Sequence, residues 1–350
     1  MATQRTGNGK KGDGPIFSSG SPAGEKNKTV PFFLMAALLV FMQVVHIAAA
    51  PRADPPQARE LSGNVTLSGA WALYPMALKW AEEFQKLYPK VRIDIQAGGA
   101  GKGIADALAG IVDFGMVSRE IQPAETARGA LAFAVCKDAV VPTTSDKNPV
   151  LGRLLKAGLK KQDFVSIWIT ETARTWGSVL GTADRTSLNA YTRSDACGAA
   201  ETWAQFLDKK QEDLRGVGVY GDPGLAEAVR RDPRGVGFNN VNYAYDPKTL
   251  KPIQGIAVIP IDLDGNGRVD NGEDFYATRD TLTAAIARGA YPSPPARDLY
   301  LVSKGRPENP AAAAFLKWVL GEGQRYVPES GYIVLNAEKL AEGFKKIESR

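Results

Sequence analysis

Residues 91–118 read VRIDIQAGGAGKGIADALAGIVDFGMVS. Val91, Ile93 and Ile95 alternate with polar neighbours, the period of a strand with one face buried. A glycine-rich turn follows, and KGIADALAG carries its apolar residues at helical spacing. VDFGMVSRE then returns to a strand that ends in polar residues. Strand, tight turn, helix and strand make the crossover unit of a parallel sheet, so this stretch predicts an α/β fold.

The same alternation continues on both sides. Before it, NVTLSG reads as a strand and LYPMALKWAEEFQKLY as an amphipathic helix. After it, AFAVCKDAVVPTTS is an apolar run able to leave this domain. KQDFVSIWITETARTW, TRSDACGAAETWAQFL, VGVYGD, LAEAVRRDP and GVGFNNVNYAY suggest a second α/β domain inserted at about 140–250. IAVIPI and DLYLVSK read as strands, TLTAAIARG and NPAAAAFLKWVLGEGQRYV as helices. No fixed-period repeat occurs.

Met1–Lys28 is polar and glycine-rich, with five Lys or Arg against two acids. TVPFFLMAALLVFMQVVHIAAA follows and resembles the apolar region of a secretory signal, closing on the small residues Ala48–Ala50. A retained signal anchor is the alternative, because the run is nearly long enough to span a bilayer. Either way the basic flank stays inside and the rest of the chain is exported. Without the first fifty residues the net charge falls from +5 to +2, since five basic and two acidic side chains leave. The remainder has no Lys/Arg block to track a nucleic-acid backbone, which excludes that partner.

The single histidine, His46, lies in the apolar segment, which rules out histidine-based triads, general bases and metal sites in the exported part. Two cysteines, Cys136 and Cys197, are too few for a cysteine zinc site. In an oxidising compartment the two could pair; a free, buried Cys197 is the alternative.

Three strand-to-helix turns are rich in small residues: SGAWALYP, AGGAGKG and DACGAAETW. Helix N-termini offer unpaired N–H groups and partial positive charge, and small residues let an anion approach the backbone. AGGAGKG is not a phosphate-binding P-loop, since Gln96 replaces its first glycine and Gly103 its Mg²⁺-binding hydroxyl. Nor do its glycines have the dinucleotide spacing. Lys102 reads as solvated, Trp80, Trp203 and Trp318 as core, and YPSPPAR (291–297) as a rigid hinge or edge.

These turns belong to a wider pattern. LSGAWALYPMALKWAEEF, IQAGGAGKGIADALAG, VDFGMVSRE, YTRSDACGAAETW, VYGDPGLAEAV, GVGFNN, YPSPPARDLYLV and FLKWVLGEGQRYVPESGYI together resemble the phosphate-binding substrate-binding proteins of ABC transporters. The resemblance covers most of residues 61–335. It implies a type II periplasmic-binding fold, with two α/β lobes of mixed sheets flanked by helices and joined by hinge strands. The implied division is 61–140 and 251–350 in the first lobe and 141–250 in the second, preceded by an extension (1–29), the signal (30–50) and a linker (51–60). A non-catalytic, monomeric, extracytoplasmic receptor follows, taking inorganic phosphate or a related oxyanion to an ABC permease. The rivals are a signalling or adhesion module that has lost phosphate binding or binds a different ligand, and a carboxylate-based hydrolase.

Carried over residue by residue, Arg193 matches the family's anion-binding arginine and Asp195 the carboxylate that orients it. Cys197, Gly198 and Ala199 stand where the family has Ser-Gly-Thr. Ala100 replaces a serine of the second turn, and Trp71 and Ala72 replace hydroxyl-bearing residues of the first. Ser118, followed by Arg119, falls where some members carry a proton-accepting aspartate. Most hydroxyl donors of the family's pocket are therefore missing. That leaves the amides of Ala72, Ala100, Gly198 and Ala199 with the fork of Arg193.

DLDGNGRVDNGE, Asp262–Glu273, is a separate signal and fits the 12-residue calcium loop at every fixed position. Asp262, Asp264 and Asn266 supply oxygens at positions 1, 3 and 5, and Arg268 its carbonyl at position 7. Asp270 takes the water-mediated position and Glu273 the bidentate one. A strand, not a helix, precedes it. The expectation is therefore an isolated structural Ca²⁺ loop.

Overall fold

The computed structural model describes residues 61–348, so the expected signal and its flanks, 1–60, lie outside the described residues. Among the described residues nine strands form: β1 (Gly63–Gly69), β2 (Val91–Ala97), β3 (Phe114–Val117), β4 (Ala130–Ser145), β5 (Asn189–Arg193), β6 (Val217–Val219), β7 (Gly235–Asn240), β8 (Ile256–Val258) and β9 (Ala296–Lys304). Their order is β2-β1-β3-β9-β4-β7-β5-β6, with β8 paired to β4. β1 runs parallel to β2 and β3, and β5 parallel to β6 and β7. Between these parallel ends, β9 and β4 run antiparallel to their neighbours. This is the mixed α/β architecture of a type II binding fold.

β4 joins the halves. Ala130–Ala139 pairs with β9, and Val140–Thr144 pairs with β7. Almost every residue of β4 from Phe133 on is buried or nearly so, because both its faces are covered along its whole course. The apolar run that sequence reading sent out of the first domain is therefore a strand that belongs to both.

Each half has its own core. Trp80, Phe84, Phe114, Phe133, Phe315 and Trp318 anchor the first. The helix Tyr74–Leu87 buries Met76, Ala77, Trp80, Ala81 and Phe84, one stripe at helical spacing. The helix Ala100–Ala109 lies on β1 and β3 at backbone distance. A Cβ on Gly103 would stand 2.6 Å from the Met116 carbonyl and 2.8 Å from that of Ser68. The second core gathers Phe164, Trp168, Trp203, Phe238, Tyr245 and Tyr291. Cys136 is buried in the first core and Cys197 in the second, and both thiols are free. Burial pushes both pKa values up, that of Cys197 to about 12, so neither is a reactive thiolate.

The division expected at residue 250 falls elsewhere. Ile256, Val258, Ile261, Phe275, Leu282 and Tyr291 all pack into the second core. The cause is β8, which pairs with Thr143–Ser145 at the far end of β4 and holds the following segment there. The chain returns to the first lobe only with β9. Among the described residues no helix is long and apolar enough to cross a membrane.

Asn309 ties the C-terminal part to the first sheet. Its Oδ1 accepts the Ala311 N–H at 3.0 Å, capping the helix Pro310–Leu320, while its Nδ2 donates to the Asn64 carbonyl at 2.7 Å. Asn309→Ala is expected to cost about 1–2 kcal/mol, read as a lower urea midpoint at unchanged slope.

Candidate functional site

The carboxyl ends of β1, β2 and β3 in one lobe face those of β5, β6 and β7 in the other, the position where open α/β sheets take ligands. The three small-residue turns meet in this seam. The Gly101 N–H donates to the Ala196 carbonyl at 3.1 Å, and the Tyr243 hydroxyl to the Trp71 carbonyl at 3.1 Å. Gly198 approaches Ser118 so closely that a Cβ there would lie 2.2 Å from its carbonyl oxygen. Small residues at 99–101 and 196–200 are what allow this approach.

Arg193 ends β5 with a side chain wholly inside the seam. Its Nε and Nη2 donate to Asp195 at 2.8 and 2.6 Å, a two-pronged pair. Its Nη1 donates to Asp222 at 2.6 Å. Burial works against the charge, but Asp222 foremost and then Asp195 more than offset it, so the group stays cationic. A guanidinium carries five N–H donors. Three engage carboxylates, which leaves two uncommitted.

Asp222 begins a longer buried relay. Its Oδ1 accepts from the Asn240 side chain at 2.6 Å, and Asn240 Oδ1 accepts from Arg297. Arg297 Nε donates to the Ser118 carbonyl at 3.2 Å, and its Nη2 stands 3.9 Å from Asp138. Arg297 Nη1 and both Asp138 oxygens are buried without hydrogen-bond partners. Sequence reading missed Asp222, Asn240, Arg297 and Asp138. GVGFNN, VYGDPG and YPSPPAR stood among the resembling segments, but nothing local marks their polar residues as partners of Arg193.

The other expected residues are placed as follows. Ala72, Ala100, Ser118 and Ala199 are buried at the seam. Cys197 caps the helix Gly198–Phe206 with Sγ, which accepts the Ala200 N–H at 3.4 Å. Helix geometry leaves the N–H groups of Gly198 and Ala199 without intrahelical acceptors. Trp71 crosses the seam to Gly221, and its buried Nε1 has no partner. Arg119 is bound two-pronged to Glu125 and lines, with Arg193, Gly101, Ala196, Cys197 and Glu201, an open groove of about 500 Å³ at the seam. Lys102 pairs with Asp106. Of the predicted metal ligands, Asp262, Asp264 and Glu273 come together, Asn266 bonds Asp264 and Asp270, and Arg268 turns outward onto Asp270.

Burial pushes the Asp138 carboxyl up to about 7, despite the opposing charge of Arg297. An unfolded aspartate titrates near ~3.9, so between about pH 4 and 7 the folded chain keeps a proton that the unfolded chain has lost. This group's stabilisation is complete below that window and fades as the pH rises through it. Asp138→Asn is expected to flatten the fall of the thermal midpoint from about pH 4 to pH 7.

A family model described as "PBP superfamily domain" matches residues 54–322. The phosphate-binding protein PstS of Pseudomonas aeruginosa is 28% identical over 345 residues, covering 90% of this chain and 98% of that protein. PstS of Xylella fastidiosa is 26% identical, covering 80% and 84%. An ABC-type phosphate transport receptor from Vibrio cholerae superposes with a TM-score of 0.56 at 18% identity, over 77% of this chain and all of that one. A high-affinity periplasmic phosphate-binding protein, PfluDING, bound with phosphate, gives 0.61 at 12% identity, over 80% and 92%. At such identities the solved structures speak for the fold alone. The family match spans both lobes up to the helix after β9, and on that ground the chain belongs to the PBP superfamily.

Proposed function

We propose that this chain is an extracytoplasmic receptor that captures inorganic phosphate or a related oxyanion and delivers it to an ABC permease. The carrying observation is Arg193, a permanently charged fork buried where the two lobes meet, with two donors left over. The N-termini of the helices Ala100–Ala109 and Gly198–Phe206 flank it and favour negative charge. The phosphate-binding relatives support the choice of anion, and the export signal read at 30–50 supports the location. Capture and release need no bond to be made or broken, so the chain acts as a binding protein and not as an enzyme. It works as a monomer, since one chain supplies both lobes.

Each hydroxyl donor absent from positions 71, 72, 100, 197 and 199 weakens the hold by about 1 kcal/mol, so the affinity is below that of a hydroxyl-lined pocket. Asp222 favours a second reading, in which the chain's own carboxylate satisfies Arg193 and the module has given up its anion. Isothermal titration of the full chain separates the two. Heat on adding phosphate supports the receptor. No heat with phosphate, arsenate or sulfate leaves the second reading.

A further inference from the structure

The segment between β8 and the helix Arg279–Ala287 has no part in the anion site, yet it gathers charge with unusual economy. Oxygens of Asp262, Asp264 and Glu273 lie within 4.8 Å of one another. Asp270 adds a fourth carboxylate to the same loop, and its neighbour Arg268 holds it from outside at 3.1 Å. Like charges at this spacing repel unless a cation lies among them.

Glu273 provides a second, independent observation. It is only 6% exposed, and its Oε2 is buried without any hydrogen-bond partner. Its other oxygen accepts the Leu263 N–H at 2.6 Å, which aims the carboxylate back across the loop towards Asp262 and Asp264. Leaving one carboxylate oxygen dry and unpaired costs more than most single contacts return. A bound cation removes that cost.

We propose that Asp262–Glu273 is a calcium site of the second lobe. The donors are all hard oxygens, spaced along a 12-residue loop that ends in a glutamate able to bind through both oxygens. That set suits the six to eight ligands and loose geometry of Ca²⁺ better than the strict octahedron of Mg²⁺. The partner hand of a calcium-binding pair is replaced by the lobe itself. The Asp262 N–H donates to the Leu159 carbonyl at 3.0 Å, and the Val269 N–H to the Lys156 carbonyl at 2.8 Å. Just beyond the loop, Phe275 and Tyr276 sink into the second core. The ion therefore pins a long connection onto the segment 156–159 and has a structural role.

Calcium chloride titrated into the EDTA-stripped full chain is expected to bind at one ion per chain. At saturation it should raise the thermal midpoint by about 5 °C, with magnesium giving less than half of that. Asp264→Asn, at an exposed position, should keep the EDTA midpoint of the wild type while weakening calcium at least tenfold. Glu273→Gln should abolish binding. The proposal is overturned by an absence of heat at about 5 mM calcium with equal midpoints in calcium and EDTA. It is equally overturned if both variants bind calcium as the wild type does. Phosphate titrated in parallel reads the other site, so either proposal can fail without the other.

Discussion

Arg193→Ala is expected to abolish phosphate binding and to destabilise the chain by about 3–5 kcal/mol. The guanidinium bridges Asp195 and Asp222, and it is buried with both. Its removal leaves two carboxylates facing each other away from water, which costs far more than the loss of one hydrogen bond. A chain with a total stability of about 5–15 kcal/mol feels this as a marked drop in thermal midpoint. Unfolding alone would also abolish binding, so the double variant Arg193→Ala/Asp222→Asn is the informative partner. It should recover part of the midpoint, because one stranded charge is gone, yet show no phosphate heat. Wild-type affinity in the folded double variant would remove Arg193 from the site and the receptor proposal with it.

Gly198→Ala should act in the opposite manner, with little loss of stability and a large loss of binding. Gly198 is the first residue of its helix, where alanine is well tolerated by the backbone. Its neighbour across the seam is Ser118, whose carbonyl oxygen and Oγ would both lie 2.2 Å from the added methyl. No rotamer moves a carbonyl oxygen aside, so the strain is relieved only by parting the lobes. Each lobe keeps its own core when they part. The expected outcome is a midpoint within a few degrees of wild type and phosphate affinity reduced at least 100-fold, about 2.7 kcal/mol. Small-angle scattering should show a radius of gyration that no longer shrinks when phosphate is added. An unchanged titration curve would mean that closure does not depend on this approach.

The same contrast separates what was legible in the chain from what was not. The crossover at 91–118 was readable because strand and helix periods are set by neighbours two to four residues apart. Arg193 and Asp195 were readable as a pair for the same reason, being two residues apart on one turn. Asp222 lies 29 residues from Arg193, and Arg297 a further 57 from Asn240. No local pattern announces such partners. The misplaced lobe boundary has a similar origin. IAVIPI and TLTAAIARG reveal which faces are apolar, but either core would bury them equally well.

By itself, then, the amino-acid order determined the repeating strands and helices, the small-residue turns that open them, and the oxygen spacing of the loop at 262–273. Those are consequences of short-range geometry. Only the tertiary structure decided that β4 serves both lobes, that β8 stays with the second, and that Arg193 answers to two carboxylates. Such choices rest on strand pairing and lobe packing between distant segments, where many partners are chemically acceptable and the completed fold brings only one within reach.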